Sequence, residues 1–136
     1  MRERVSIIIV KDNQLLLMAR WRHGRHYHVL IGGGIDPGET PRIAANREVI
    51  EETSLQITPG PELWQRAIPE KELYEHAFLV TKFSGEPQLG NGPEASEQSE
   101  HNVYKLIWVP FGELAMLDLY PGPVDFEQIQ KFIKAL

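Results

Sequence analysis

Apolar residues alternate with polar ones or run together over most of the chain, and they take a helical spacing in only two places. Residues 5–10 form a nearly continuous β-branched run, which is typical of a strand buried on both faces. Similar patterns predict strands at residues 15–20, 27–31, 55–58, 63–68, 74–83 and 103–109. Helical spacing marks residues 40–53 and a C-terminal stripe of Phe126, Ile129, Ile133 and Leu136. Strands mixed with two helices in 136 residues predict one α/β (α+β) domain with a mixed sheet.

Charge and cysteine content exclude several classes of protein. The chain has 14 Lys and Arg against 19 Asp and Glu, a formal net charge of −5, which argues against binding of nucleic acid. It has no Cys, which rules out disulfides, thiolate zinc sites and cysteine nucleophiles. No apolar run approaches the ~20 residues that cross a bilayer, and the first residues do not resemble a secretion signal. We therefore expect a cytoplasmic protein without a membrane segment.

The predicted helix at residues 40–53 carries the first chemical signal. Thr40 is a suitable N-cap, and Pro41 suits the first helical position. One side of the helix, which we expect to face the core, holds Ile43, Val49 and Ile50. The opposite side holds three carboxylates, Glu48, Glu51 and Glu52. Like charges at this spacing destabilise a helix by about 0.2–0.5 kcal/mol per i, i+4 pair, and a divalent cation would reverse that effect. The cluster is either a solvated face or a magnesium site.

Residues near this helix favour the metal site. The glycine run at residues 32–34 allows either a tight turn or a close approach of backbone groups to a metal and to phosphate oxygens. Arg47 lies four residues before Glu51 and can steady a carboxylate, although an ordinary surface ion pair has the same spacing. Glycines, a guanidinium and a carboxylate cluster in this order are suited to holding Mg²⁺ against a phosphate group.

These residues resemble the signature of the Nudix hydrolase family. That signature runs Gly, five residues, Glu, seven residues, Arg-Glu, an aliphatic residue, any residue, Glu-Glu, any residue, Gly and an aliphatic residue. The chain matches it over residues 33–55, with Gly33, Glu39 and Arg47 in place. Ser54 stands where the family has glycine, and a serine kept in a left-handed helix cap is expected to cost about 1 kcal/mol without loss of chemistry. The resemblance implies a Nudix-type α/β/α sandwich with a mixed β-sheet over residues 1–136.

The resemblance also implies a reaction, which is Mg²⁺-dependent cleavage of the diphosphate bond in a nucleoside di- or triphosphate or in a nucleoside diphosphate linked to another group. Mn²⁺ is expected to substitute. The implied metal ligands are Gly33, Glu48, Glu51 and Glu52, and the implied catalytic residues are Glu51, Glu48 and Arg47. Bound metal lowers the pKa of a water molecule, which then attacks phosphorus. The general base lies either in this helix or in the acidic loop that follows residue 84, where Glu97 and Glu100 are candidates.

A basic and aromatic segment at residues 20–28 is the predicted phosphate-binding wall, because guanidinium groups suit polyphosphate oxygens. Substrate contacts are expected at Arg20, Arg22, Tyr27 and Gly34. Trp21 and Tyr27 can stack on a nucleobase, which favours a purine nucleotide. The three histidines of the segment could instead form a metal site, but they lie in a predicted turn without a matching distant cluster. Phe78 and Trp108 are assigned to the core.

Three other functions compete with this hypothesis. A nucleotide sensor of the same family would lack one or more of the signature glutamates, and all four are present here. The isoprenoid-diphosphate isomerases of this fold depend on a cysteine, which the chain does not have. Removal of diphosphate from RNA ends would favour a basic surface track, which a net charge of −5 argues against. The substrate is a small nucleotide that the sequence does not identify, and a homodimer is expected only because the family often forms dimers.

Overall fold

The computed structural model describes residues 1–90, 98–99 and 101–136. The strands in these ranges are β1 (Arg2–Lys11), β2 (Gln14–Arg22), β3 (Arg25–Gly34), β4 (Gln56–Ile57), β5 (Glu62–Ile68), β6 (Leu73–Val80), β7 (Phe83–Ser84), β8 (Asn102–Pro110) and β9 (Leu119–Tyr120). The α-helices are α1 (Pro41–Thr53) and α2 (Phe126–Lys134), and short 3₁₀ turns cover Pro69–Lys71 and Phe111–Met116.

Strand β1 lies at the centre of a mixed sheet. It runs parallel to β6, antiparallel to the second half of β3, and antiparallel to β2 at the hairpin that joins them. The first half of β3 pairs with β2, which also pairs with β8, while β5 extends the sheet beyond β6 and β9 pairs with β3. Because β3 changes partner along its length, its glycine end lies beside β1.

The core occupies both faces of β1, as its continuous apolar run predicts. Ile7 and Ile9 belong to the cluster that also contains Val49 of α1. Ile8 and Val10 belong to the cluster that contains Ile129 of α2. The sheet therefore separates two helices, which confirms the expected α/β/α arrangement. No helix in the described part of the chain is long and apolar enough to span a membrane.

The expected orientation of α1 is right for Val49, which is fully buried, and wrong for the two isoleucines. Ile43 and Ile50 were expected to face the core, but they are 56% and 47% exposed. The buried face of α1 consists of Ala44, Ala45, Val49, Glu52 and Thr53. The small alanines let the helix approach the sheet closely, and this brings the glutamates, not the isoleucines, against the glycine end of β3. Inward carboxylates are tolerated because they meet hydrogen-bond donors there.

Several predicted boundaries change as well. The glycine run is not a tight turn, because residues 32–34 form the last part of β3 and pair with β1. The predicted strand at 74–83 divides into β6 and a separate β7, which pairs with β4. Residues 22 and 25, expected on a loop, face each other as a cross-strand pair in the β2–β3 hairpin. Leu136 lies beyond the end of α2 and is 74% exposed, so it is not part of the helix stripe.

Candidate active site

Both ends of helix α1 are fixed by identifiable contacts. Thr40 caps the start, with its Oγ1 accepting a hydrogen bond from the backbone N–H of Ile43 at 3.2 Å. At the other end Ser54 adopts the left-handed conformation, with φ 63° and ψ 6°, and its N–H donates to the carbonyl of Ile50 at 3.1 Å. The conformation expected for the family's glycine is therefore kept by a serine. The Ser54 hydroxyl also donates to the carbonyl of Gln88 at 3.3 Å.

Arg47 holds the carboxylates of the signature together. Its Nε and Nη2 donate to the two oxygens of Glu39 at 2.7 and 2.8 Å, a two-point contact. Its Nη1 donates to Glu48 at 2.9 Å and to Glu51 at 3.3 Å. Nη2 also donates to the carbonyl of Gly34 at 3.0 Å, which ties the helix to the end of β3. The predicted role of Arg47 in steadying the glutamates thus has a specific geometry.

These contacts shift the acid–base properties of the cluster. Hydrogen bonds from Arg47 and from the backbone of Asp36 lower the pKa of Glu39 to about 2. The carboxylates of Glu39 and Glu48 raise the pKa of Arg47, so its guanidinium stays charged. Burial raises the pKa of Glu48, and this effect is opposed by the hydrogen bond and the positive charge of Arg47.

The glycines of β3 form a close wall for two of these glutamates. Glu52 is 7% exposed, and one of its oxygens accepts a hydrogen bond from the N–H of Gly32 at 2.9 Å. A Cβ atom at Gly33 would lie 2.5–2.7 Å from three carboxylate atoms of Glu48. A residue with a side chain would therefore displace the Glu48 carboxylate. Backbone and carboxylates thus approach each other closely within a strand, while the expected approach of the glycines to a metal and to phosphate oxygens stays a prediction.

A cavity of about 470 Å³ opens beside these residues. It is lined by Arg4, Met18, Arg20, Tyr27, Val29, Gly32, Gly33, Glu48, Glu51, Glu52, Tyr104 and Tyr120. Carboxylates of α1 thus line the cavity together with two guanidinium groups, three tyrosine rings, two glycines and the apolar side chains of Met18 and Val29. Arg20 donates to the Tyr104 hydroxyl at 2.6 Å and to the Asn102 side chain at 3.1 Å, and it lies over the Tyr104 ring at 4.3 Å. A ligand in this space meets both charge signs and aromatic faces.

The predicted site residues divide into three groups. The structure brings Gly33, Glu48, Glu51, Glu52, Arg20 and Tyr27 to the cavity. It places Arg47 and Gly34 in the supporting network and Arg22 at the exposed end of the hairpin, away from the cavity lining. Glu97 and Glu100 lie outside the described residues. Trp21 stacks on His26 with ring centroids 4.3 Å apart and does not line the cavity.

Sequence reasoning missed three cavity residues with polar side chains, namely Arg4, Tyr104 and Tyr120. Arg4 lies in the apolar-looking first strand, so its charge was not linked to the site. Strand pairing is what brings it there, because Arg4 faces Gly34 across the β1–β3 ladder. Tyr104 is similarly placed by its pairing with Arg20 across β2 and β8. Tyr104 carried a signal, a phenolic side chain within a predicted strand, whereas Arg4 precedes the predicted strand at residues 5–10 and gave none.

The donor set suits a divalent cation. Glu48, Glu51 and Glu52 line the cavity together with Gly33, and carboxylate oxygens are hard ligands of the kind that Mg²⁺ and Mn²⁺ accept. Within the described ranges, no three His, Asp or Glu side chains are already arranged around a common point. Two of the three glutamates are instead held by Arg47, which forms ion pairs with Glu48 and Glu51. In the part of the chain that the structure describes, the histidines of residues 23–28 also do not combine with other His, Asp or Glu side chains into a group of three that could hold a metal.

Comparison with known proteins decides the family. A family model described as the NUDIX domain matches residues 1–130. The chain belongs to the Nudix family. Several proteins that it resembles are named as hydrolases. The Nudix fold expected from the signature is confirmed, because solved Nudix structures share the mixed sheet and its helices.

Three relatives illustrate the range of the Nudix family around this chain. The NAD-capped RNA hydrolase NudC of Vibrio cholerae serotype O1 is 30% identical over 110 residues, which cover 78% of this chain and 38% of that protein. The solution structure of the E. coli ORF135 protein is 26% identical with a TM-score of 0.70, covering 98% of this chain and 89% of the other. The crystal structure of an ADP compounds hydrolase has 20% identity and a TM-score of 0.72 over 98% and 74% of the two chains. The chain spans about two fifths of the length of the curated relatives it matches.

Proposed function

We propose that the chain is a Mg²⁺-dependent Nudix hydrolase that cleaves the diphosphate bond of a nucleoside di- or triphosphate, or of a nucleoside diphosphate linked to another group. The observation that carries the proposal is the composition of one cavity. Three carboxylates of α1 line it together with Arg20 and tyrosine rings. Carboxylates can hold the cation, the guanidinium can hold phosphate oxygens, and a ring can stack on the nucleobase.

Glu48, Glu51, Glu52 and the carbonyl of Gly33 would hold Mg²⁺, for which Mn²⁺ can substitute. When bound, the cation supplies charge neutralisation at the bridging oxygens and a water molecule of lowered pKa. Arg47 keeps Glu48 and Glu51 close together before binding, because its guanidinium contacts both. Gly32 orients Glu52, because its N–H donates a hydrogen bond to one carboxylate oxygen of Glu52.

We assign the proton acceptor to Glu51. Its side chain is 38% exposed, against 12% for Glu48, and its contact with Arg47 is the longer of the two at 3.3 Å. A carboxylate with this freedom can turn toward an attacking water while its neighbours stay fixed. Glu97 and Glu100 remain predictions for the same role, because they lie outside the described residues.

The opposite wall of the cavity favours a substrate with an adenine or another aromatic group. Arg20 lies 5.6 Å from the Tyr27 ring centre and 4.3 Å from the Tyr104 ring centre. This arrangement offers a flat apolar surface next to a positive charge. Relatives described as acting on NAD-capped RNA and on ADP compounds support the same class of substrate, since NAD and ADP compounds both contain an adenosine diphosphate group. A cytoplasmic location and a homodimer remain predictions.

A nucleotide sensor is the second candidate, and one experiment separates the two. Purified protein is incubated with nucleoside triphosphates, ADP-ribose, NAD and dinucleoside polyphosphates in ¹⁸O-labelled water with Mg²⁺, and the products are identified by mass spectrometry. We expect the wild type to cleave at least one of them with ¹⁸O in one phosphate product, and Glu52→Gln to lose this activity. Binding of a nucleotide by a wild type that cleaves nothing would favour the sensor and contradict the assigned catalytic roles.

A further inference from the structure

Arg4 is a buried cation at the floor of the cavity. It is 7% exposed, yet it lines the same space as Glu48 and Glu52. Its Nε donates to the Ser6 hydroxyl at 3.2 Å, and its Nη2 donates to the carbonyl of Leu30 at 2.6 Å. Among residues 1–90, 98–99 and 101–136, no carboxylate oxygen lies within 4 Å of its nitrogens. Arg4 thus differs from Arg47, which contacts several carboxylates directly.

Ser6 connects the positive charge of Arg4 to the negative charge of Glu75. The Ser6 hydroxyl, which accepts from Arg4, donates to Glu75 Oε2 at 2.6 Å. Glu75 is fully buried, and its other oxygen accepts from Trp64 Nε1 at 2.7 Å and from Arg66 Nε at 2.6 Å. Glu75 already forms an ion pair with Arg66, so it only partly balances Arg4. The chain Arg4–Ser6–Glu75 fixes the position of the guanidinium without neutralising it.

Burying a charge that is not directly paired costs stability, so its retention in a cavity calls for a ligand of opposite charge. In the free protein the negative charges of Glu48 and Glu52 also act on Arg4 across the cavity. A divalent cation on those carboxylates would cancel this compensation. The cavity would then present Arg4 and Arg20 to an anion, and Arg20 is already held by hydrogen bonds to Asn102 and Tyr104.

We propose that Arg4 is a binding residue for the diphosphate group of the ligand, and that Ser6 and Glu75 are the positioning residues that hold it there. The inference rests on the proposed function for the identity of the ligand, and it adds a contact that the family signature does not contain. A guanidinium fixed at two of its nitrogens gives a phosphate oxygen a donor whose direction is set in advance. The ring of Tyr120, 5.4 Å from the Arg4 guanidinium carbon, covers it on another side.

Two variants that each remove one hydrogen bond to Glu75 test this inference. Ser6→Ala breaks the link to Arg4, whereas Trp64→Phe removes a bond to the other carboxylate oxygen and leaves Ser6 and Arg4 in contact. Binding of α,β-methylene-ADP, whose phosphorus–carbon bridge resists cleavage, is measured by calorimetry with Mg²⁺ for both variants and for Arg4→Lys. We expect Ser6→Ala and Arg4→Lys to weaken binding by about tenfold, while Trp64→Phe stays within about twofold of the wild type. Thermal unfolding checks that the proteins are folded.

The ³¹P resonances of the bound analogue give a second readout that a general loss of stability would not move. We expect them to shift between wild type and Ser6→Ala, but not between wild type and Trp64→Phe. Equal affinity in Ser6→Ala and wild type, or equal weakening in Ser6→Ala and Trp64→Phe, overturns the inference. If Arg4→Lys does not fold, the comparison of Ser6→Ala with Trp64→Phe still tests the inference. Hydrolysis is not needed for this test, so an inactive protein that binds through Arg4 contradicts the proposed activity alone.

Discussion

A methyl group added at Gly33 would occupy space that the Glu48 carboxylate now fills. The new Cβ would lie 2.5 Å from Oε1 of Glu48, 2.6 Å from Cδ and 2.7 Å from Oε2. Ordinary van der Waals contacts begin at 3.4 Å, so the carboxylate has to move by roughly 1 Å. The atoms that must move belong to the end of a flexible side chain, and Gly33 does not have a positive φ. The backbone can therefore accept alanine.

Gly33→Ala is thus expected to separate activity from stability. A misplacement of about 1 Å in a catalytic group can cost about 10²-fold in rate, so we expect kcat/KM to fall by about that factor for the substrate that the wild type cleaves fastest. The melting temperature should change by only a few degrees, because the substitution also reduces the conformational freedom of the unfolded chain. Gly112→Ala is the control, since a Cβ at Gly112 meets no atom within 4 Å. A Gly33→Ala enzyme that keeps activity within about twofold of the Gly112→Ala enzyme would refute the assigned position of Glu48.

Three further predictions follow from single contacts. Replacing Ser54 by Gly should raise the free energy of unfolding by about 0.5–1 kcal/mol, because φ at 63° favours glycine and the hydroxyl contact that is lost is a long one. Ser54→Ala is the control, and its free energy of unfolding, measured by chemical denaturation, should not rise. The pKa of Glu39 is about 2 in the folded protein against an ordinary value of 4.5, so its contribution to stability is present above pH 4.5 and is lost as the pH falls toward 2. Glu39→Gln should flatten this part of the stability curve, and an unchanged pH dependence would contradict the Arg47 contact. Tyr104→Phe removes the 2.6 Å hydrogen bond that holds Arg20, and we expect KM to rise about three- to tenfold with kcat nearly unchanged, as steady-state kinetics can establish.

The sequence predicted most of the fold because the signals of its elements are local. A continuous apolar run identifies β1, and the Thr40-Pro41 pair identifies the start of α1. The orientation of α1, in contrast, could not be predicted from local sequence signals. Apolar residues normally face inward, but here Ile43 and Ile50 are exposed and Glu52 is buried. The signature glutamates face a glycine-rich strand that supplies hydrogen-bond donors, and only tertiary packing places that strand beneath them.

The candidate site divides in the same way. The carboxylates and Arg47 are neighbours along one helix, so their spacing allowed a common site, and the resemblance to the Nudix signature implied that they act together. Arg4, Tyr104 and Tyr120 reach the cavity through strand pairing between distant parts of the chain. Arg22, although part of a basic segment, lies at the far end of its hairpin, because the strands continue two residues further than the sequence pattern indicated. Register across a sheet decides such positions, and a single sequence does not contain it.

The most direct test of the account is to locate the divalent cation. Crystals grown with Mn²⁺ and α,β-methylene-ADP give an anomalous signal at the metal position. We predict a peak within about 2.0–2.3 Å of oxygen atoms of Glu48 and Glu52, on the cavity side of α1, with the diphosphate group beside it. No peak at these carboxylates in a crystal that contains the bound nucleotide, or a peak at the histidines of the β2–β3 hairpin instead, would contradict the proposed catalytic site.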